Sequence, residues 1–538
     1  MLRYISGAAL VAALCASPLA AHDLSADRAA LERDVRVLAD DTMEGREAGT
    51  HGYAMAAGYV AGRFAAMGLE PGGEAGTYFQ SVPLYSYKND QDALKVNITR
   101  DDGTVIEGRA HIDMYGGGTA RYTEGTLDAP LVFVGQGMQT GDGRFNDLSG
   151  VDLKGKIAVR VYGAPAGISS EEGAHFRSTW NQRLSDAGAV GSILLWSDKI
   201  EQRITFQKAL ENAEETKMTW LAKDGTPHDD GANLQTYLAF SRDLARKLMK
   251  GEVMDYDAIM AADKADNPKL HSFEMRSRAR ISYASTAETV SSNNVIAMLP
   301  GSDPELADEY VVLTGHLDHL GIKPTEKQGD DEIYNGAMDN ATGISAMLEV
   351  ACLMKANPVR RSVLFIALTA EEQGLLGSEY NAANPTVPAD KVVANVNLDM
   401  PVLDYPFVDV VAVGAENSTL LAPVQAAASE FGIALAPDTN PEQGFFTRSD
   451  QYSYVKQGVP AVYLDLGDGN GGEKSLNAFL EKHYHEVSDE ADLIDYEQLG
   501  RFAEINYLVA RNIANMAERP LWNKGNFFGA LFGGPMAD

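Results

Sequence analysis

Apolar and polar positions alternate with three different rhythms along the chain. From Leu24 to Met67 apolar residues recur at helical spacing, in LERDVRVLADD and again in YAMAAGYVAGRFAAMG. The intervening EGREAGTHG is rich in glycine and polar residues and reads as a loop. Residues 94 to about 122 alternate like strands. Near Ala129 a second region begins. PLVFVGQGM and KGKIAVRVYG are strand-like, RLSDAGAVGSILLW reads as helix then strand, and the region continues to about Ala284. Its polar stretch 201–266 carries no assignment. From Asn294 the rhythm changes again. NVIAMLPG, YVVLTG, SVLFIALTA, VVANVNLD, FVDVVAVG and PAVYLDLG are apolar and mostly lack alternation, as strands buried on both faces do. Helical segments separate them at Gly343 to Lys355, Ser418 to Phe431 and Asp450 to Gln457. This succession predicts an α/β fold: a mixed, largely parallel sheet flanked by helices.

In such sheets ligands bind at the carboxyl ends of the strands. The residues that follow the apolar runs are therefore the informative ones. YVVLTG leads into His316, Asp318 and His319, SVLFIALTA into Glu371 and Glu372, and VVANVNL into Asp399. Asp339 sits just before a predicted helix, and HYHEVSD supplies His483 and His485. Several carboxylates converging without cations would repel one another strongly. A donor set of imidazoles and carboxylates without thiolates suits zinc, and also manganese or cobalt. Two imidazoles with three carboxylates exceed one tetrahedral site and fit two metals that share a carboxylate. Neighbours in extended chain point in opposite directions, so one of Glu371 and Glu372 can bind metal while the other acts as a general base.

Charge and cysteine content narrow the classes further. The net charge of −31 disfavours nucleic acid, whose phosphates need an excess of Lys and Arg. Two cysteines cannot build a disulfide framework or a multi-cysteine zinc cluster. The N-terminal MLRYISGAALVAALCASPLAAHD has the layout of a secretory signal peptide over 1–21, with cleavage expected after Ala21. That predicts a secreted or periplasmic protein whose mature chain keeps only Cys352 and makes no internal disulfide. No later run reaches about 18 uninterrupted apolar residues, so no stable membrane anchor is expected.

GHLDHLG, NGAMDNATG, TAEEQGLLGSEY, NVNLDM and YHEVSD together resemble, in order and approximate spacing, the M28 family of zinc aminopeptidases. The resemblance spans about Ser291 to Ala514, plus the N-terminal part with its EGREAGTHG loop. It implies a zinc-exopeptidase-like fold and two Zn2+ per chain, with Co2+ or Mn2+ as alternatives. His316 and Asp399 are implied ligands of the first ion, Glu372 and His485 of the second, and Asp339 bridges. Glu371 is the implied general base, and Asp318 the carboxylate that orients His316. Tyr484 matches a tyrosine that donates to the oxyanion in some members, and Arg448 a position that helps hold substrate. His319 and His483 receive no ligand role. VFVGQGM, VDLKGKIAVRVYG and DAGAVGSILLW resemble an inserted, mainly-β protease-associated domain.

The expected layout is a signal peptide at 1–21, the first part of the peptidase at 22–125, the insert at 126–285, the main peptidase domain at 286–520 and a loose, Gly-rich tail at 521–538. The implied substrates are peptides with a free N-terminus; the oligomeric state is not readable. A carboxypeptidase, a dipeptidase or a glutaminyl cyclase could use the same scaffold. A non-catalytic, receptor-like homologue would lose metal ligands, and all five stand here.

Overall fold

The computed structural model describes residues 25–165, 167–265, 270–325 and 329–538. The signal peptide expected over 1–21 lies outside the described residues. Among those residues no helix is long and apolar enough to cross a membrane.

Four parallel strands form the centre of the C-terminal half. In spatial order they are Ser362–Leu368, Tyr310–His316, Val392–Asn397 and Ala461–Leu466. Every residue of Ser362–Leu368 and of Val392–Asn397 is buried, which is why their sequences lack polar alternation. Side chains alternate between two covered faces. Val311, Leu313, Val363 and Phe365 face helix Thr342–Ala356 and its neighbours Arg28–Leu38, His51–Ala66 and Tyr496–Ala514. Val312, Leu364 and Ile366 instead meet Ala382 and Tyr454, from helices Leu376–Ala383 and Gln451–Val455. Antiparallel strands close the flanks: residues 295–299 pair with Ser362–Leu368, and Asp409–Val413 pairs with Ala461–Leu466. The fold is the mixed, largely parallel α/β arrangement that the apolar runs predict.

A second sheet has its own core, built from Ile157, Val159, Ile193, Leu238 and Ile281 among others. Here Ile157–Val161 runs parallel to both residues 131–133 and Gly191–Leu195, and Thr236–Phe240 runs parallel to Gly191–Leu195. Two sequence boundaries move. Strands Lys95–Arg100 and Met114–Gly118 pair inside this second sheet, so it begins well before residue 126. Its far limit is no break at all, because the single strand Phe273–Leu299 belongs to both sheets and crosses residue 285. Parallel strands and helices such as Arg242–Met249 also make this unit more mixed than mainly β. Part of the unassigned stretch 201–266, strand Lys217–Trp220, pairs with Phe79–Asn89.

The expected loose tail is instead packed. Trp522 is fully buried and donates to the Gly458 carbonyl at 2.8 Å. Asn526 caps the short helix Phe527–Leu531. Phe527, Phe528 and Phe532 surround the ring of His175, which comes from helix Ser170–Ser178 of the second unit. The tail's apolar residues, and not its glycines, decide its state, because burying aromatic rings outweighs the entropy of ordering a short segment.

His175 Nδ1 lies 2.5 Å from the Tyr452 hydroxyl, so this buried imidazole joins the second unit to the C-terminal half. Burial, with Arg183 and Lys456 adding to it, holds its pKa down to about 4. A histidine whose folded pKa lies below its unfolded value stabilises the fold above about pH 6.5. That contribution, at most about 3 kcal/mol, is lost as pH falls from about 6.5 toward 4. The expected result is that His175→Phe loses less stability than the wild type between pH 7 and pH 4.5 in thermal melts. Equal losses would show that His175 does not carry this acid sensitivity.

Candidate metal centre

His316 ends its strand and is fully buried. Its Nδ1 lies 3.1 Å from the Asp318 carbonyl oxygen, which can only accept, so Nδ1 carries the proton. Nε2 faces two carboxylates, Asp339 Oδ1 and Asp399 Oδ1, each at 3.1 Å. On the far side of Asp339, its Oδ2 lies 3.4 Å from His485 Nε2. The same nitrogen lies 3.1 Å from Glu372 Oε2. The five residues expected as ligands thus meet as two groups, His316–Asp339–Asp399 and Asp339–Glu372–His485, with Asp339 in both. Glu371 adjoins them: its carboxylate comes within 4.8 Å of donor atoms of His316 and Glu372.

The field of the site calls for positive charge. Burial opposes charge on His316, yet Asp399, Glu371 and Asp339 outweigh it and hold the imidazole pKa well above its usual value. Burial likewise opposes ionisation of Asp339, and His316 with His485 outweighs it. The Glu371 carboxyl is pushed well above the usual range by burial, with Glu372, Asp399 and Asp450 adding to it. Imidazole and carboxylate donors without thiolates, in a cleft of this sign, fit zinc.

Several residues that the sequence reading did not single out brace this donor cluster. Arg46, from the EGREAGTHG loop, is fully buried and spends its guanidinium on backbone carbonyls. It donates to Leu317 at 2.9 Å, Asn335 at 2.6 Å and Gly336 at 2.8 Å, and so ties the His316 segment to the Asp339 segment. Asp489 accepts from the backbone N–H groups of Met338 and Asp339 at 2.9 and 3.0 Å. Ser449 donates to Asp399 Oδ2 at 2.5 Å. Gly336, at φ +54°, is needed where it stands, since a Cβ there would lie 2.5 Å from the His319 ring. Three non-glycine residues beside or within the ligand set also hold left-handed backbone: Ala370 at φ 54°, Met400 at 37° and His485 at 60°. Such conformations persist where the surroundings over-determine them, and they cluster at functional sites.

One expected role is corrected. The Asp318 carboxylate does not hold the far nitrogen of His316; its backbone carbonyl does. The side chain turns instead to the N–H groups of Glu371 and Glu372, at 3.1 and 3.3 Å, and fixes the turn that presents them. His319, given no role from sequence, places Nδ1 2.7 Å from Glu372 Oε1 and is fully buried. His483 lies outside the cluster, with Nδ1 2.9 Å from the Ser488 hydroxyl. Tyr484 stacks on His485 with ring centres 3.9 Å apart and lines the cleft. Arg448 lies on the exposed rim and donates to the Gln443 carbonyl at 3.3 Å.

Residues 294–510 match the model of peptidase family M28. The chain carries a peptidase family M28 domain. Every residue of the two donor groups, with Glu371, falls inside that M28 domain, whereas Arg46 reaches it from outside. A probable zinc metalloprotease of Pyrenophora teres f. teres is 34% identical over 111 residues, 21% of this chain and 23% of its own length. Aminopeptidase Y of Saccharomyces cerevisiae is 26% identical over 245 residues, 44% of this chain and 40% of its own length. The matched part thus spans less than half of either curated relative. The solved aminopeptidase from Aneurinibacillus sp. strain AM-1 is 21% identical with a TM-score of 0.50, covering 90% of this chain and 93% of that one. That likeness supports the fold of the M28 domain together with the second sheet.

Proposed function

We propose that the protein is a secreted co-catalytic dizinc exopeptidase, an aminopeptidase that releases N-terminal residues from peptides. The observation that carries this reading is the pair of donor groups sharing Asp339, with Glu371 beside them. His316 and Asp399 would hold one ion, Glu372 and His485 the other, and Asp339 both. His319, against Glu372, would support the second site. Zinc there would supply Lewis acidity toward the scissile carbonyl and lower the pKa of water toward about 7.

The remaining work falls to side chains of the chain itself. Glu371 accepts a proton from the attacking water and returns it to the departing amine. The Tyr484 hydroxyl, from the cleft wall, would donate to the developing oxyanion. Arg448, on the rim, holds the outgoing portion of the peptide. The second sheet, read as a protease-associated insert, narrows access: helix Ser170–Ser178 lies on the turn Phe445–Thr447, which brings Phe445 to the cleft. A free N-terminus as the substrate mark is tested by comparing one peptide with its N-acetylated form. The zinc-loaded chain is expected to cleave the free form at least about 100-fold faster. Equal rates would contradict an aminopeptidase and favour an endopeptidase.

A further inference from the structure

Strand Ala461–Leu466 lies next to the strand that presents Asp399, and its end presents another carboxylate. The two strands run parallel with Asn397 opposite Tyr463. Two residues further on, Asp399 and Asp465 therefore leave neighbouring strand ends on the same face of the sheet. Asp399 belongs to the donor cluster, and Asp465 does not. Instead it lines the same cleft one strand further from Glu372, beside Met400, Phe445, Leu476 and Tyr484.

This carboxylate has little to satisfy it. Oδ1 accepts from the N–H of the adjacent Leu466 at 2.8 Å, and among the described residues Asp465 makes no ion pair. The charges that bear on it include Asp438, Asp399 and Asp468, all negative. Burial, with these three adding to it, lifts its carboxyl to about 7. Arg448, the arginine of the cleft lining, is exposed and engaged with the Gln443 carbonyl. An unpaired carboxylate in such a place is costly unless a partner arrives. A cationic group on the substrate is that partner. The apolar walls of Met400, Phe445 and Leu476 would flank an aliphatic stem that carries the charge down to Asp465.

We propose that Asp465 makes this pocket selective for peptides whose N-terminal residue is basic, lysine or arginine. The proposal rests on the aminopeptidase reading above and deepens it. The α-ammonium of any N-terminal residue is the competing cation, and the chemistry of the test separates the two.

The experiment uses the full zinc-loaded chain and p-nitroanilides of lysine, arginine, leucine and norleucine, the last an uncharged match for the lysine stem. For the wild type, kcat/KM for lysine and arginine is expected to exceed that for norleucine at least about 30-fold, as for a desolvated charge pair. Asp465→Asn is expected to erase that advantage while changing norleucine turnover less than about threefold. Asp465→Glu should restore part of it. Calorimetric titration with free lysine and norleucine gives a second readout, with lysine binding weakened in Asp465→Asn and norleucine unchanged. A wild type that prefers leucine or norleucine overturns the proposal, even where the asparagine variant fails to fold. A uniform loss across all four substrates also overturns it, since that marks the α-ammonium or a structural role. A metal-replete wild type inert to all four fails the aminopeptidase reading itself, and the two failures are thereby told apart.

Discussion

Glu371→Gln should lower turnover of an unblocked peptide by at least about 1,000-fold while leaving zinc content unchanged. General-base catalysis contributes about 100- to 10,000-fold, and glutamine keeps the shape of the side chain while losing its basicity. The split between turnover and metal follows from the geometry. The Asp318 carboxylate holds the backbone N–H groups of both Glu371 and Glu372, so replacing one side chain leaves the other presented as before. Glu372 keeps its contacts with His485 and His319. Steady-state kinetics with metal analysis on the same preparation checks both halves. A variant that retained full activity would show that Glu371 is not the base.

Asp339→Ala should lose activity and metal together. Asp339 has one carboxylate oxygen 3.1 Å from His316 and the other 3.4 Å from His485, so its removal strips a donor from each group at once. Loss of a mere supporting partner costs about 10- to 100-fold in metal affinity, and loss of a shared ligand should exceed that range. The vacancy would be buried, since Asp339 is 4% exposed, and solvent could not readily replace the carboxylate. Equilibrium dialysis against zinc is expected to show at most one weakly held ion per chain. Two tightly held ions would refute the shared role.

The contrast between these strong expectations and the features missed in sequence has a physical basis. Strands such as Ser362–Leu368 are buried on both faces, so their residues are uniformly apolar and the strand ends are marked by the first polar residue. The residues of the donor cluster were legible for that reason: His316, Glu371, Glu372 and Asp399 lie at or just beyond such ends. Arg46 was not, because the partners that tie it to the cluster are backbone carbonyls 271 to 290 residues away, which leave no trace in the side-chain pattern. The direction of the Asp318 side chain is a matter of rotamer and competing N–H donors, which spacing cannot settle. The limit of the second sheet was hidden because Phe273–Leu299 is one uninterrupted strand serving both sheets. The tail misled through its glycines, whereas Trp522 and Phe528 decide its packing. Asp465 follows an apolar run just as the ligands do, and only the neighbouring strand register shows that it faces the same cleft.

Stoichiometric zinc titration of metal-free full-length protein, with cleavage of an unblocked peptide followed at each addition, tests the dinuclear centre most directly. The expected result is activity that climbs to its plateau as two ions bind per chain, with little turnover on the N-acetylated peptide. Saturation of both binding and activity at a single ion, or a chain holding two ions that leaves every unblocked peptide intact, would contradict it.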